Sequence, residues 1–469
     1  MEHLSIIPKP VSIKRGEGFF QSEGMPSVTR KETDLGGEAY KLIIEKDRIT
    51  VEAGTPAGMY NGMQTFRQLT LSDYCDGTLK LPCAEISDYP RFSWRGFMLD
   101  CSRYFYSVPF IKNLIDALSM HHINRFHWHL TDDQGWRFNV KEYPLLAEIG
   151  SRRQVRNLMR QPYYGGIYTE SEIREVVGFA SERNVEVVPE VDLPGHASAI
   201  LASYPGLGCT GGPYRVEDRY GIFEDVLCAG NDQIFDLAEK VFNTLAALFP
   251  SKWVHIGGDE VWYNRWDACP KCQKKLSELG LNKTGELQSW ITCKLVQMLA
   301  ERGKTAIGWD EILEDSDKFK LPKEMVVMSW RGDEGGTKAS RLGHPVIMAP
   351  CTYGCYLDYK HLNTPEEPGQ SFGGLIAPVY KSYSMDPVTS KMSEEDAKLI
   401  LGGQGNLWAE LIYAGKIAEY MIFPRMCAIA EALWSPRESK DIDDFSRRLT
   451  VHRKRLDDLG INQYRGPLQ

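Results

Sequence analysis

The chain has 469 residues, 42% hydrophobic and 25% charged, a globular composition with room for one large domain and a smaller companion. Its net charge is −8, from 55 basic and 63 acidic residues, and the absence of any long basic run argues against a nucleic-acid partner. No apolar run is long enough to span a membrane, so no membrane-spanning segment is expected.

The start, M-E-H-L-S-I-I-P-K-P, lacks the basic and apolar regions of a signal peptide. A trimmed signal would leave the same start, so the compartment stays open. Residues 1–90 read as a small α/β accessory domain. Strand-like pieces are Ser5–Ile7, Tyr40–Ile44, Arg48–Glu52 and Thr78–Glu85. Between the last two, Ala57–Leu71 carries Met59, Met63, Phe66 and Leu69 at helical spacing, after a turn marked by Gly54 and Pro56. No cluster of catalytic groups occurs here, which predicts a structural role. Asp88–Arg91 marks the boundary with a second domain over residues 91–469.

From Phe92 onward, short β-rich runs end in polar or aromatic residues and amphipathic helices follow. The first run, Trp94–Asp100, ends D-C-S-R and precedes a helix over Val108–His122. Ile123–Leu130 ends T-D-D-Q-G-W-R, before helix Glu170–Asn184 with Ser171 as its cap. Val185–Val191 ends D-L-P-G-H, and helix Asp232–Phe249 follows. Trp253–Ile256 ends G-G-D-E, and helix Gly285–Arg302 leads to Thr305–Ile307, ending G-W-D-E. Met325–Met328 ends S-W-R-G; Pro345–Met348 opens a long loop; Leu401–Gln404 ends G-N-L-W-A-E. Helices Glu419–Leu433 and Ile442–Leu459 finish the chain. Eight strand–helix repeats over about 350 residues predict a (β/α)8 TIM barrel. An open doubly wound sheet would carry a Gly-rich phosphate loop after its first strand, where D-C-S-R stands instead.

In a barrel, strand C-termini converge on one mouth. The pooled strand-end set is Arg103, Asp132, Asp133, His196, Asp259, Glu260, Trp309, Trp330, Tyr356, Asp358, Trp408 and Glu410. His196, Asp132 and Asp259 could be drawn as metal ligands, but three tryptophans in one pocket suit a ring-binding slot better, and no metal is expected. Neither a G-x-S-x-G elbow nor a cofactor loop is present, so no cofactor is expected. Eleven cysteines without a repeated spacing read as mainly reduced, with Cys209 and Cys228 flanking a loop that a disulfide could close. Cys269 and Cys272 form C-P-K-C, but a zinc site would want a second such pair, and none occurs.

Glycoside hydrolysis remains. It needs a carboxylic acid to protonate the leaving oxygen and a group to stabilise an oxocarbenium-like centre. Glu260, placed against tryptophan faces, is the best proton donor. Asp259 is too close in sequence for the usual opposite-face nucleophile; it could instead orient a nucleophilic acetamido group of the substrate itself. Two alternatives stay open: a non-catalytic glycan-binding barrel, and an ordinary two-carboxylate glycosidase that accepts sugars without an acetamido group.

H-I-G-G-D-E, D-D-Q-G-W-R, D-L-P-G-H, G-W-D-E and L-W-A-E, in that setting from about Trp94 to Trp434, resemble the β-N-acetylhexosaminidases of glycoside hydrolase family 20. The resemblance implies an exo-acting, retaining, substrate-assisted enzyme acting on glycans with terminal β-linked N-acetylglucosamine or N-acetylgalactosamine. It implies Glu260 as general acid/base and Asp259 as the acetamido-orienting carboxylate, with Asp132 and His196 a hydrogen-bonded pair behind the acid. Arg103 would grip sugar hydroxyls, Trp309, Trp330 and Trp408 would wall the sugar, and Tyr356 would bond the acetamido oxygen. Asp358 and Glu410 would hold the outer hydroxyls. The N-terminal domain departs from the family pattern: its middle is about one strand–helix unit short. Oligomeric state, linkage and gluco or galacto preference are not encoded legibly.

Overall fold

Parallel strands cannot be joined by hairpins, so each must return across a helix before pairing with its predecessor. In the computed structural model, which describes residues 4–154 and 163–468, eight of the chain's strands obey this rule and close into a barrel. Six strands come first: β1 (Ser12–Glu23), β2 (Val28–Glu32), β3 (Tyr40–Ile44), β4 (Ile49–Ala53), β5 (Tyr74–Cys75) and β6 (Thr78–Asp88). The barrel begins with β7 (Trp94–Asp100) and β8 (Arg125–His129). Two short antiparallel pairs then interrupt it, β9 (Thr131–Asp132) with β10 (Gly135–Trp136) and β11 (Arg152–Gln154) with β12 (Tyr163–Gly165). It resumes with β13 (Glu186–Glu190), β14 (Trp253–His255), β15 (Thr305–Trp309), β16 (Val326–Ser329), β17 (Val346–Met348) and β18 (Ile400–Leu407). Strand β18 pairs in parallel with β7 and completes the ring.

The helix expected over Glu419–Leu433 is two helices, Gly415–Ile422 and Arg425–Trp434. Pro424 lacks an N–H and cannot continue the ladder, so the chain restarts behind it. Helix Glu170–Ser181 is capped by Thr169 rather than Ser171: the Thr169 hydroxyl accepts from the Glu172 N–H, and the Glu172 carboxylate reaches back to the Thr169 N–H.

In the N-terminal domain the sheet runs β1-β6-β3-β4-β2, with β5 beside β6. Helix Pro56–Asp73 lies on one face, burying Phe66 and Leu69 among Tyr40, Leu42, Val51 and Leu81. Gly62 permits the close approach; a Cβ there would sit 2.6 Å from the Val51 side chain. Strands β1 and β2 lie outside the expected set, because runs such as K-R-G-E-G and V-T-R-K-E put charge on both faces of exposed strands. Ser5–Ile7 is not a strand. Its backbone is satisfied by side chains: Ile7 N–H donates to Gln68 (3.0 Å), Arg448 donates to the Ile6 carbonyl (2.8 Å) and Arg455 to that of Ser5 (2.5 Å).

These contacts fasten the two domains together. Glu431, buried on helix Arg425–Trp434, accepts two 2.7 Å bonds from the Arg448 guanidinium and one of 2.9 Å from the Lys9 N–H. Such a bidentate buried pair leaves a costly unpaired cation when its carboxylate is removed. Glu431→Ala is expected to lower unfolding stability by about 3 kcal/mol, read from the urea midpoint at unchanged slope. A shift worth under ~1 kcal/mol would mean that the pair behaves like an exposed one.

Candidate active site

Behind the ladder of β14 the chain turns on Gly257 (φ +66°) and Gly258 (φ +95°), conformations that side chains rarely tolerate. A Cβ on Gly257 would lie 1.8 Å from the Asp192 carboxylate, which accepts the Gly258 N–H at 3.1 Å. The Gln288 amide donates to the Gly258 carbonyl (2.7 Å), and the Tyr263 hydroxyl donates to Gln288 (2.8 Å). Tyr263 is therefore a brace for this turn, and Trp266, stacked on it and bonded to the Leu227 carbonyl, is packing. Trp262 is 43% exposed beside the turn.

The turn delivers Asp259 inward and Glu260, itself at φ +53°, toward the rim. Asp259 is buried; no N–H or hydroxyl donor reaches its Oδ1, and its carboxyl group shares a hydrogen bond with that of Asp192. Burial, the Asp192 charge and the Glu260 charge raise its proton affinity well above the usual carboxylate range, against the opposing pull of His196. Burial also lifts Asp192 to about 7. The Glu260 side chain is 29% exposed, and its Oε2 lies 3.4 Å from His196 Nε2. Its neighbour is thus an imidazole, not the tryptophan faces that the sequence suggested.

His196 has the expected partner, Asp132, and a second one, Asp133. Its Nδ1 hydrogen bond runs to Asp133 Oδ2 (2.9 Å), while Asp132 Oδ1 is farther away at 3.3 Å. Asp133 is fixed in turn by the Ser198 N–H and hydroxyl (2.9 and 2.5 Å). Asp132 is turned toward Arg103 Nη2 and His129 Nε2, both at 2.9 Å. Burial alone would depress the His196 pKa; the Asp132 charge and the bonds to Asp132, Asp133 and Glu260 hold it well above the usual imidazole range. Arg103 and His196 likewise hold the Asp132 carboxyl far below its ordinary value against the cost of burial.

Arg103 is buried and committed on three sides, to Asp100 (3.2 Å), Asp132 and the Gln134 amide oxygen (2.9 Å), with Glu410 Oε1 3.9 Å away. Its guanidinium lies over the Trp408 ring. Across the pocket, Asp358 accepts from Gln370 through one oxygen, whereas its Oδ1 and the Glu410 Oε2 have no protein donor. Burial and the Glu410 charge raise Asp358 to about 7.

The aromatic residues form a floor and a wall. Trp309 is fully buried at the end of β15, with Nε1 bonded to Glu190 (3.0 Å) and its ring 5.8 Å from that of Trp408. Trp330 and Tyr356 lie nearly parallel, 10° apart with centroids 5.8 Å apart. Glu311, which sequence reasoning passed over inside G-W-D-E, accepts from Trp330 Nε1 at 2.9 Å; burial and the Asp259 charge raise it to about 9. The loop carrying Tyr356 and Asp358 is held by Arg425. This buried side chain at the helix restart donates to the carbonyls of Leu357 (2.5 Å), Tyr359 (2.6 Å) and Ala377 (2.9 Å).

Below the floor, Glu190 is wholly buried. His129 Nδ1 and Trp309 donate to it, and His127 Nε2 (2.9 Å) and His255 Nδ1 (2.8 Å) lie beside it. These imidazoles draw its pKa well below normal despite burial. The H-W-H spacing on β8 was the available signal, since alternate strand residues face the barrel interior.

Asp132, Asp133 and His196 come close enough to hold a cation, as do Asp192, His196 and Asp259. Both sets share His196, whose neighbouring carboxylates also hold its own pKa well above the usual imidazole range. The arrangement suits a neutral ligand that offers N–H and O–H donors to unpaired carboxylate oxygens and an apolar ring face to aromatics.

A family model for the glycosyl hydrolase family 20 catalytic domain matches residues 92–437, and one for domain 2 of that family matches residues 22–89. The beta-hexosaminidase of Porphyromonas gingivalis is 41% identical over 435 residues, 92% of this chain and 55% of that protein. The beta-hexosaminidase of Vibrio furnissii is 36% identical over 414 residues, 86% of this chain and 66% of the relative. The chain thus spans about half to two thirds of these relatives' length. The GH20 exo beta-N-acetylglucosaminidase of Vibrio harveyi, solved in complex with N-acetylglucosamine, aligns with a TM-score of 0.90 at 33% identity, covering 100% of this chain and 79% of that one.

The raised His196 pKa implies a stabilising charge. That contribution is complete below the unfolded value of about 6.5 and fades as pH rises through the folded value. Imidazole NMR, assigned with His196→Gln, should show His196 titrating well above the free-imidazole range, and Asp132→Asn should lower its titration more than Asp133→Asn. A wild-type ring that deprotonates near 6.5 would contradict the charge assignment.

Proposed function

The chain belongs to glycosyl hydrolase family 20, and we propose that it is an exo-acting, retaining β-N-acetylhexosaminidase working by substrate assistance. One observation carries this reading: carboxylate oxygens of Asp259, Asp358 and Glu410 are buried without any N–H or hydroxyl donor, Asp259 having only the Asp192 carboxyl group beside it. A terminal N-acetylhexosamine supplies what they need, an acetamido N–H for Asp259 and ring hydroxyls for Asp358 and Glu410. The complex of the Vibrio harveyi relative with N-acetylglucosamine supports the same ligand class.

The sugar lies with an apolar face on Trp408, which the buried Trp309 backs, and its acetamido methyl against Trp330, while Arg103 donates to a hydroxyl at the floor. The Tyr356 hydroxyl donates to the acetamido oxygen and orients it toward the anomeric carbon. Glu260 gives its proton to the glycosidic oxygen as that bond breaks, and the acetamido oxygen closes on the anomeric carbon from the opposite face. An oxazolinium ring results, and the Asp259 carboxyl, whose raised proton affinity falls as positive charge develops beside it, accepts the N–H and stabilises that charge. Glu260, now a carboxylate, takes a proton from water as the water attacks the anomeric carbon and reopens the ring, so two inversions give net retention. The His196 ring, fixed by Asp133 and 3.4 Å from Glu260 Oε2, holds the Glu260 carboxyl group in position through both steps. Asp358 near the outer hydroxyls disfavours a 6-sulfate, so neutral sugars are the expected substrates.

Glu260→Gln should cut turnover of a chromogenic N-acetylglucosaminide at least ~10²-fold with little change in binding. Asp259→Asn should lose ~10²–10³-fold, because an amide stabilises the developing cation poorly. An unchanged rate in either variant would sink the assignment. A thiazoline mimic of the intermediate should inhibit, and plain glucosides should be poor substrates; efficient hydrolysis of a glucoside would instead support an ordinary two-carboxylate glycosidase.

A further inference from the structure

Away from the barrel mouth, four cysteine sulfurs meet. Cys209 and Cys228 lie at the two ends of a loop within the long connection from β13 to helix Gln233–Leu248. Cys269 caps helix Pro270–Glu278, and Cys272 lies in its first turn. Their Sγ atoms are 3.8 Å apart for Cys209–Cys272, 3.8 Å for Cys228–Cys269 and 3.5 Å for Cys228–Cys272, and all four lie within 4.8 Å of one another. A disulfide needs about 2.05 Å. A tetrahedron of thiolates with Zn–S of about 2.3 Å has edges of about 3.8 Å.

We propose that Cys209, Cys228, Cys269 and Cys272 form a structural zinc site. Four thiolates satisfy a tetrahedral ion completely and leave no open position, the mark of a structural rather than a catalytic centre. The surroundings are built for sulfur ligands. Gly230 lies against the C-P-K-C turn so closely that a Cβ would be 2.2 Å from the Lys271 carbonyl carbon and 2.5 Å from the Cys272 nitrogen. Its N–H is directed at the Cys228 and Cys272 sulfurs, the outer-shell hydrogen bonding that steadies metal thiolates. The N-terminus of helix Pro270–Glu278 adds a favourable dipole for the negative cluster. Three of the four cysteines are buried, so bulk solvent does not compete at the site.

The ion would fasten both ends of the 209–228 loop to the segment that follows Asp259 and Glu260. That loop buttresses the pocket: Glu217 N–H donates to the Asp133 carbonyl (2.9 Å), the Gln134 amide donates to the Arg219 carbonyl (2.8 Å), and Leu227 N–H donates to the Pro194 carbonyl (3.1 Å). Asp133 positions His196, and Gln134 positions Arg103. Zinc would therefore stabilise the fold and steady the pocket wall without touching a substrate.

The test is metal analysis of the full chain, purified from zinc-sufficient medium and dialysed against metal-free buffer. About one zinc per chain is expected, with four sulfurs at about 2.3 Å by X-ray absorption. Cys272→Ser should lose at least ~10-fold in bound zinc and several degrees in Tm, while Cys293→Ser, outside the cluster, should keep its zinc. Should the Cys272 variant not fold, cobalt substitution of the wild type should still give thiolate-to-cobalt charge-transfer absorption. Four freely titrating thiols without zinc, a mass lighter by the four hydrogens of two disulfides, or iron in place of zinc would each overturn the proposal.

Discussion

Arg103 is the cation on which the acidic mouth of this barrel depends. Asp100, Asp132, Asp133, Asp358, Glu410, Asp259 and Glu260 all gather at the strand ends, and buried carboxylates repel unless positive charge is placed among them. Arg103 spreads its planar donors over Asp100 and Asp132 and approaches Glu410, a division that an ammonium could not reproduce. Asp132, held ionised by this contact, then anchors His129, and His129 joins the other imidazoles around Glu190 under the floor. The charge pattern of the pocket thus continues downward as a ladder of alternating acids and bases to the barrel centre, where Trp309 closes it.

The strand–helix rhythm was legible because each barrel strand is a short apolar run with one polar exit, and because helix faces repeat at a different period. Charge hid β1 and β2, whose side chains are largely exposed and so follow no apolar alternation. The helix break at Pro424 was written in the sequence and outweighed by the apolar stripe on either side. At the site, motifs identified which residues leave the strands but not which atoms meet. Asp132 and Asp133 are adjacent, and only the β9–β10 hairpin decides that both reach His196 while Asp132 also meets Arg103. Arg425 and Gln134 were invisible because their contacts are long-range bonds that leave no local spacing. The cysteines show the same limit: C-P-K-C lacks a second matching pair, yet the loop brings Cys209 and Cys228 to it from a distant part of the chain.

Two non-glycine residues at the mouth, His196 (φ +44°) and Glu260 (φ +53°), adopt left-handed backbone conformations. Each costs of order 1 kcal/mol or more and persists only where its surroundings over-determine it. Here those surroundings are specific. Asp133 holds the His196 ring, and the Gly257–Gly258 turn braced by Gln288 aims Glu260. The strained positions are those that bring the imidazole and the carboxylate face to face.

Arg425 has a consequence for how the pocket can open. By binding the carbonyls of Leu357, Tyr359 and Ala377 from inside the barrel wall, it rivets the backbone around Tyr356 and Asp358 to the helix Arg425–Trp434. A loop so fixed is poorly suited to act as a swinging lid. This side of the mouth works as a rigid bowl: entry and exit pass over its rim, and the entropy of shaping it is spent in folding rather than at each encounter with a ligand.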